Sequence, residues 1–138
     1  MLRTYTHVIA LSVMLAGLST AQAEDTVLTL TCQGTATLPS MVDTKVLPIL
    51  TGIVINLTKR TLEGLETVWS IPVEITSVNE ATIAFRGANR SEYGEQSIYG
   101  TIDRVTGDLE AGVSRLNAAS VRTSLLYSLK CRPAQRTF

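Results

Sequence analysis

The stretch "YGTIDRVTGDLEA", residues 99–111, places Asp103, Arg104, Asp108 and Glu110 within eight positions around a Thr-Gly pair, the densest group of ionisable side chains in the chain. Two carboxylates are the minimum equipment of a glycosidase-type hydrolase, in which one gives a proton while the other acts as base or nucleophile. Asp103 with Glu110 is one such pair, and Glu92 with Glu95 is a second. Catalysis by such a pair needs a shielded cleft that drives the two pKa values apart. Both pairs instead fall where turns or polar strand faces are expected, and there carboxylates stay solvated. Gly107 follows "RVT" where apolar alternation restarts, which fits a short hairpin turn with a left-handed glycine. Asp103 and Glu110 then lie on the polar faces of adjacent strands. The carboxylate-dependent hydrolase is therefore the alternative reading, and the solvated turn is the favoured one.

Other chemistries lack their residues. His7 is the only histidine, and it precedes the region expected to fold, so Ser-His-Asp and Cys-His catalysis and histidine metal sites have no candidates. "GVSRL" around Ser114 lacks the closing glycine of a nucleophile elbow, and no serine has a lysine three residues on. No glycine-rich phosphate loop is present. No catalytic residue, metal or cofactor is assigned.

Residues 1–23, "MLRTYTHVIALSVMLAGLSTAQA", carry Arg3, an apolar run from Val8 to Leu18, and small residues at Ala21 and Ala23. This is the layout of a secretory signal peptide cut after Ala23. The apolar run is too short to span ~30 Å of hydrocarbon comfortably. Export to an oxidising compartment, the extracellular space included, is expected, and residues 24–138 are expected to form a single β-domain with no further membrane span. Without Arg3, eleven Lys and Arg face twelve Asp and Glu, with no basic run, so nothing favours nucleic acid as a partner. Cys32 and Cys131, the only cysteines, sit near the two ends of that domain. In an oxidising compartment a disulfide is the economical reading. It would close a loop of about one hundred residues, worth ~4–5 kcal/mol in the chain-entropy model.

The elements that must position these groups read as strands. Alternation of period two recurs in residues 25–33, 51–59, 60–66, 72–78, 81–87, 96–105, 108–116 and 121–131, rich in Thr, Val and Ile. Each cysteine lies on the more apolar face of its strand. Turns are expected at Lys59-Arg60, Asn79 and Gly107, a short helical turn at 116–120, and longer irregular stretches at 34–50 and 87–96. Short links make consecutive strands antiparallel hairpins. A disulfide between the first and last strands brings the ends of the meander together. The expected fold is thus all-β, an eight-stranded up-and-down barrel, closed or nearly so, with a β-sandwich as the alternative.

Two features could bind. Arg86, Arg90, Glu92 and Tyr93 form a mixed-charge rim suited to a protein partner, for example as an inhibitor. Ile83, Phe85, Ile102 and Tyr127 line the interior, where a cavity would take a small apolar ligand; small eight-stranded barrels are often filled by their own side chains instead. Trp69 is expected as a core or rim anchor. The function expected is that of an exported, non-enzymatic β-domain binding a protein or a small apolar ligand.

The ending "YSLKCRPAQRTF", with Cys131, Pro133, Arg136 and Phe138, together with "GTIDRVTGDLEA" and "LTLTCQGTA", resembles a group of small exported bacterial proteins with paired terminal cysteines and a C-x-P-x-x-R-x-F ending. The resemblance implies a Gram-negative periplasm. It brings no catalytic residue, ligand or partner with it.

Overall fold

The computed structural model describes residues 26–39, 43–65 and 71–135. The expected signal peptide, Trp69, Arg136 and Phe138 lie outside them. Eight strands follow one another: β1 (Val27–Leu38), β2 (Lys45–Asn56), β3 (Thr61–Glu63), β4 (Val73–Val78), β5 (Thr82–Ser91), β6 (Gly94–Asp103), β7 (Asp108–Asn117) and β8 (Arg122–Pro133). Each pairs antiparallel with the next, and β8 pairs with β1, so the meander closes into a barrel and not a sandwich. Cys32 lies opposite Cys131 in the β1–β8 ladder and is bonded to it, with Cα atoms 4.0 Å apart. That is shorter than the ~4.4–6.8 Å usual for disulfides, and near the spacing of directly opposed residues in a non-hydrogen-bonded pair.

Alternation chooses the inner face. Cys32, Ile53, Ile55, Ile75, Ile83, Phe85, Ile98, Leu109 and Val113 are all fully buried and belong to one cluster. Eight strands leave an interior just wide enough for side chains to fill. Large and small residues face each other to fit that width: Phe85 lies opposite Gly100, and Tyr127 lies between Ala36 and Ala111.

Several expectations are corrected. Residues 34–50 are not an irregular stretch, because β1 and β2 pair without a shift from Val27 opposite Asn56 to Leu38 opposite Lys45. Pro48 is tolerated inside β2 for a reason the ladder supplies. The Leu57 amide donates to the Thr26 carbonyl, so odd-numbered β2 residues bond β1 and even-numbered ones turn their backbone groups the other way. The donor that Pro48 lacks would have pointed to the side where β3, only three residues long, does not reach. Residues 87–96 are likewise not a loop. Ala88 to Ser91 continue β5 and pair with Gly94 to Ser97 of β6 around the Glu92-Tyr93 turn, with Gly94 at φ 128°. This part is polar on both faces, so alternation could not announce it.

The strand expected at 60–66 shrinks to Thr61–Glu63 and ends at Gly64, whose φ is 97°. Residues 117–121 form a hairpin turn and not a helical one: the Asn117 side chain accepts the Ala119 and Val121 amides, and Ser120 takes φ 60°. Val121, the first residue of the strand expected at 121–131, lies just before β8 and is 57% exposed. The turns at Lys59-Arg60 and Asn79 form as expected, though by different means. Arg60 adopts φ 57°, and its guanidinium donates to the Ile75 and Thr76 carbonyls where β4 bulges against β5. Asn79 works through its side chain, which accepts the Ala81 and Thr82 amides.

Candidate functional site

The dense charge group is a set of partnered surface residues. The Asp103 carboxylate accepts the Val105 and Thr106 amides, both at 2.8 Å, and the Asp103 carbonyl accepts the Gly107 amide at 2.8 Å. Gly107 has φ 78°, the left-handed conformation that glycine adopts without steric cost. Asp108 accepts the Thr106 hydroxyl at 2.6 Å and the Lys130 ammonium at 2.8 Å, while Glu110 accepts the Ser128 hydroxyl at 2.8 Å. The hydrogen bonds from the Thr106 and then the Val105 amide hold the Asp103 carboxyl below its ordinary value. Those from Lys130 and Thr106 do the same for Asp108. A general acid needs the opposite shift.

The expected rim divides. Arg90 pairs with Glu95 across the β5–β6 hairpin at 2.8 Å, and that bond raises the Arg90 pKa. Glu92 and Tyr93 form the tip, where Tyr93 is 68% exposed and its amide donates to the Ser91 hydroxyl. The Glu92 and Glu95 carboxylates are both exposed on this projecting hairpin. Arg86 is not in a loop but on the outer wall of the barrel, opposite Glu74 on one side and Tyr99 on the other. Of the expected interior residues, Ile83, Phe85 and Ile102 are buried in the core. Tyr127 is half-buried, and burial pushes its phenol upward. Among the described residues no three His, Cys, Asp or Glu side chains gather as metal ligands would.

Register reveals a row on the outer wall that sequence reading did not assemble. Arg86, Tyr99, Gly112 and Leu126 are successive cross-strand neighbours on β5, β6, β7 and β8. The row continues through Thr37 to Val46 on β1 and β2. Tyr99, Leu126 and Val46 are 63%, 48% and 56% exposed. The Tyr99 ring lies over Gly112, where a Cβ would come within 2.8 Å of it. An aromatic laid over a cross-strand glycine covers the backbone there and helps pin the register. Two sequence signals pointed here: Tyr99 is a large aromatic on the otherwise polar face of its strand, and the Leu125-Leu126 doublet breaks the alternation of the last one. An exposed aromatic beside an arginine combines two residue types that concentrate at the centres of protein interfaces, and Leu126 adds exposed apolar area to the same row. Compared with protein-family models, with curated proteins and with solved structures, the chain gives no match.

Proposed function

We propose that this chain is an exported, non-enzymatic β-barrel, resident in the periplasm, that binds a protein partner through the outer row Arg86, Tyr99, Gly112 and Leu126. The observation that carries the reading is the exposed Tyr99 ring seated on Gly112 in a row with a cation and an aliphatic. Little entropy is lost when such a pre-positioned ring is covered, which favours it as an anchor. The interior supports the same choice over a small apolar ligand, because Phe85, Ile53, Ile98 and Leu109 are fully buried within it. Inhibition of a secreted hydrolase is one form that such binding could take.

Native mass spectrometry of the protein purified from periplasm tests it, with Tyr99→Ala/Leu126→Ser as the comparison. A co-purifying protein mass that is lost in the double variant, at unchanged melting temperature, is the expected result. Loss of two interface anchors should weaken binding roughly thirtyfold or more. No co-purifying protein, or one that both forms retain, would sink the proposal. A mass of a few hundred daltons retained by both would install the small-ligand reading instead.

A further inference from the structure

We infer that the outer edge of β2 from Val46 to Leu50 is a second binding site, which takes an extended, uncharged segment of another protein as an added β-strand. On its inner side β2 pairs with β1 along its whole length, but on its outer side β3 pairs only with Val54, Ile55 and Asn56. Thr51 and Gly52 are met by Gly64: the Thr51 hydroxyl donates to the Gly64 carbonyl at 2.8 Å, and Gly64 abuts the Gly52 carbonyl. Beyond that point, toward Lys45, no strand of the described residues adjoins the edge. The ladder phase set by the bond from Leu57 to Thr26 directs the amides and carbonyls of Val46 and Leu50, and the carbonyl of Pro48, outward along it. Unpaired edge groups are a template for another strand.

Apart from Pro48, the side chains do not defend this edge. Leu50 is 74% exposed, Val46 56% and Leu47 37%, and no charged residue occurs between Lys45 and Lys59. Across the gap left by the short β3 and β4, the corresponding end of β5 carries Asn89, Arg90 and Ser91, the polar residues expected where an edge must stay in water. A cleft of about 280 Å³ lined by Pro48, Leu50, Leu65 and Tyr127 runs beside the β2 edge and offers room for one side chain of an added strand.

Pro48 decides between a foreign strand and a second copy. In a two-fold antiparallel pairing of β2 with itself, Pro48 faces Val46, Pro48 or Leu50 of the copy, and each copy's proline deletes one bond. A foreign strand meets only one proline and keeps the other bonds. The edge therefore loses two bonds against its own kind and one against a different strand, which favours the latter, and its lack of charge selects a segment without charges at the facing positions.

The probe is a nine-residue peptide of alternating valine and threonine with a lysine at each end, added to the isotope-labelled protein and followed by amide NMR. In the free protein the Val46 and Leu50 amides should exchange with solvent much faster than those of Leu47 and Ile49, which bond β1. Peptide should slow the first pair and leave the second unchanged. A peptide N-methylated at its edge-facing positions should not bind, Leu50→Lys should abolish binding, and Pro48→Val should tighten it roughly fivefold by restoring one donor. Val46 and Leu50 amides already slow at every protein concentration would mean that the chain covers its own edge. Slow exchange that appears only on concentrating the protein would mean a second copy. Either result, equal binding of the N-methylated peptide, or no binding at millimolar peptide overturns the inference.

Discussion

At the scale of single residues, the charged group around Gly107 shows how a carboxylate can be conspicuous in sequence and structural in the fold. Asp103 ties down two turn amides, and Asp108 joins Thr106 to Lys130 on β8. Both carboxyls are held below their ordinary values. A depressed folded-state value means that the ionised form favours folding: the contribution is present above the unfolded value, near pH 4, and is lost as pH falls through the lower folded one. The melting temperature should accordingly hold level from neutral pH to about 5 and decline below about 4. Asp103→Asn, which keeps an acceptor but not the charge, should flatten that decline, as should Asp108→Asn; thermal melts at pH 7 and pH 3 check both. The hydrolase alternative makes a competing forecast for the same residues. If Asp103→Asn/Glu110→Gln abolished a turnover found by a substrate screen while the fold survived, the turn would be a site after all. The partners found for Asp103 and Glu110 lead us to expect no such loss.

At the scale of elements, packing rather than propensity sets the strand boundaries. Phe85 fills the barrel where Gly100 faces it, and a Cβ at position 100 would lie 2.5 Å from both the Phe85 ring and the Glu110 carbonyl. Gly100→Ala should then cost ~1–3 kcal/mol, as overpacking does. Phe85→Leu should recover part of that loss in the double variant, because the two share one space; additive effects in urea denaturation would show that the backbone clash with Glu110 dominates. The segments readable from sequence were those crossing this packed layer, such as "TIAF" and "SIYGTI", where one face meets the core and the other meets water. What escaped were the parts of the same strands beyond it. Asn89, Arg90 and Ser91 are polar on both faces, and Val46, Leu47, Pro48 and Leu50 are apolar on both, so neither stretch alternates. Cross-strand register alone could specify them. The outer row escaped for a related reason: Arg86, Tyr99, Gly112 and Leu126 are neighbours only once four strands are aligned.

At the scale of the whole molecule, one covalent bond and one ladder do the same work in different ways. The Cys32–Cys131 disulfide spans a sequence separation of 99 and joins the strands whose pairing closes the barrel. Both cysteines are buried in the core cluster, so the bond is also part of the packing. Closing a loop of that length removes many conformations from the unfolded chain, and losing a native disulfide in a small domain typically costs ~2–5 kcal/mol. The β1–β8 ladder extends from Leu30 opposite Pro133 to Thr37 opposite Leu126, so the terminal strands keep pairing groups on both sides of the bridge. Cys32→Ser/Cys131→Ser should therefore melt well below the wild type yet still fold to the same barrel, with unchanged far-ultraviolet circular dichroism at low temperature. Tryptic mapping without reductant should return the two cysteine peptides joined. The linkage acts mainly on the unfolded state, so the variant should lose stability chiefly through slower folding, with a smaller change in unfolding rate, wherever the terminal strands meet early in folding. If only unfolding accelerates, β1 and β8 dock last, and the barrel closes after its six other strands have formed.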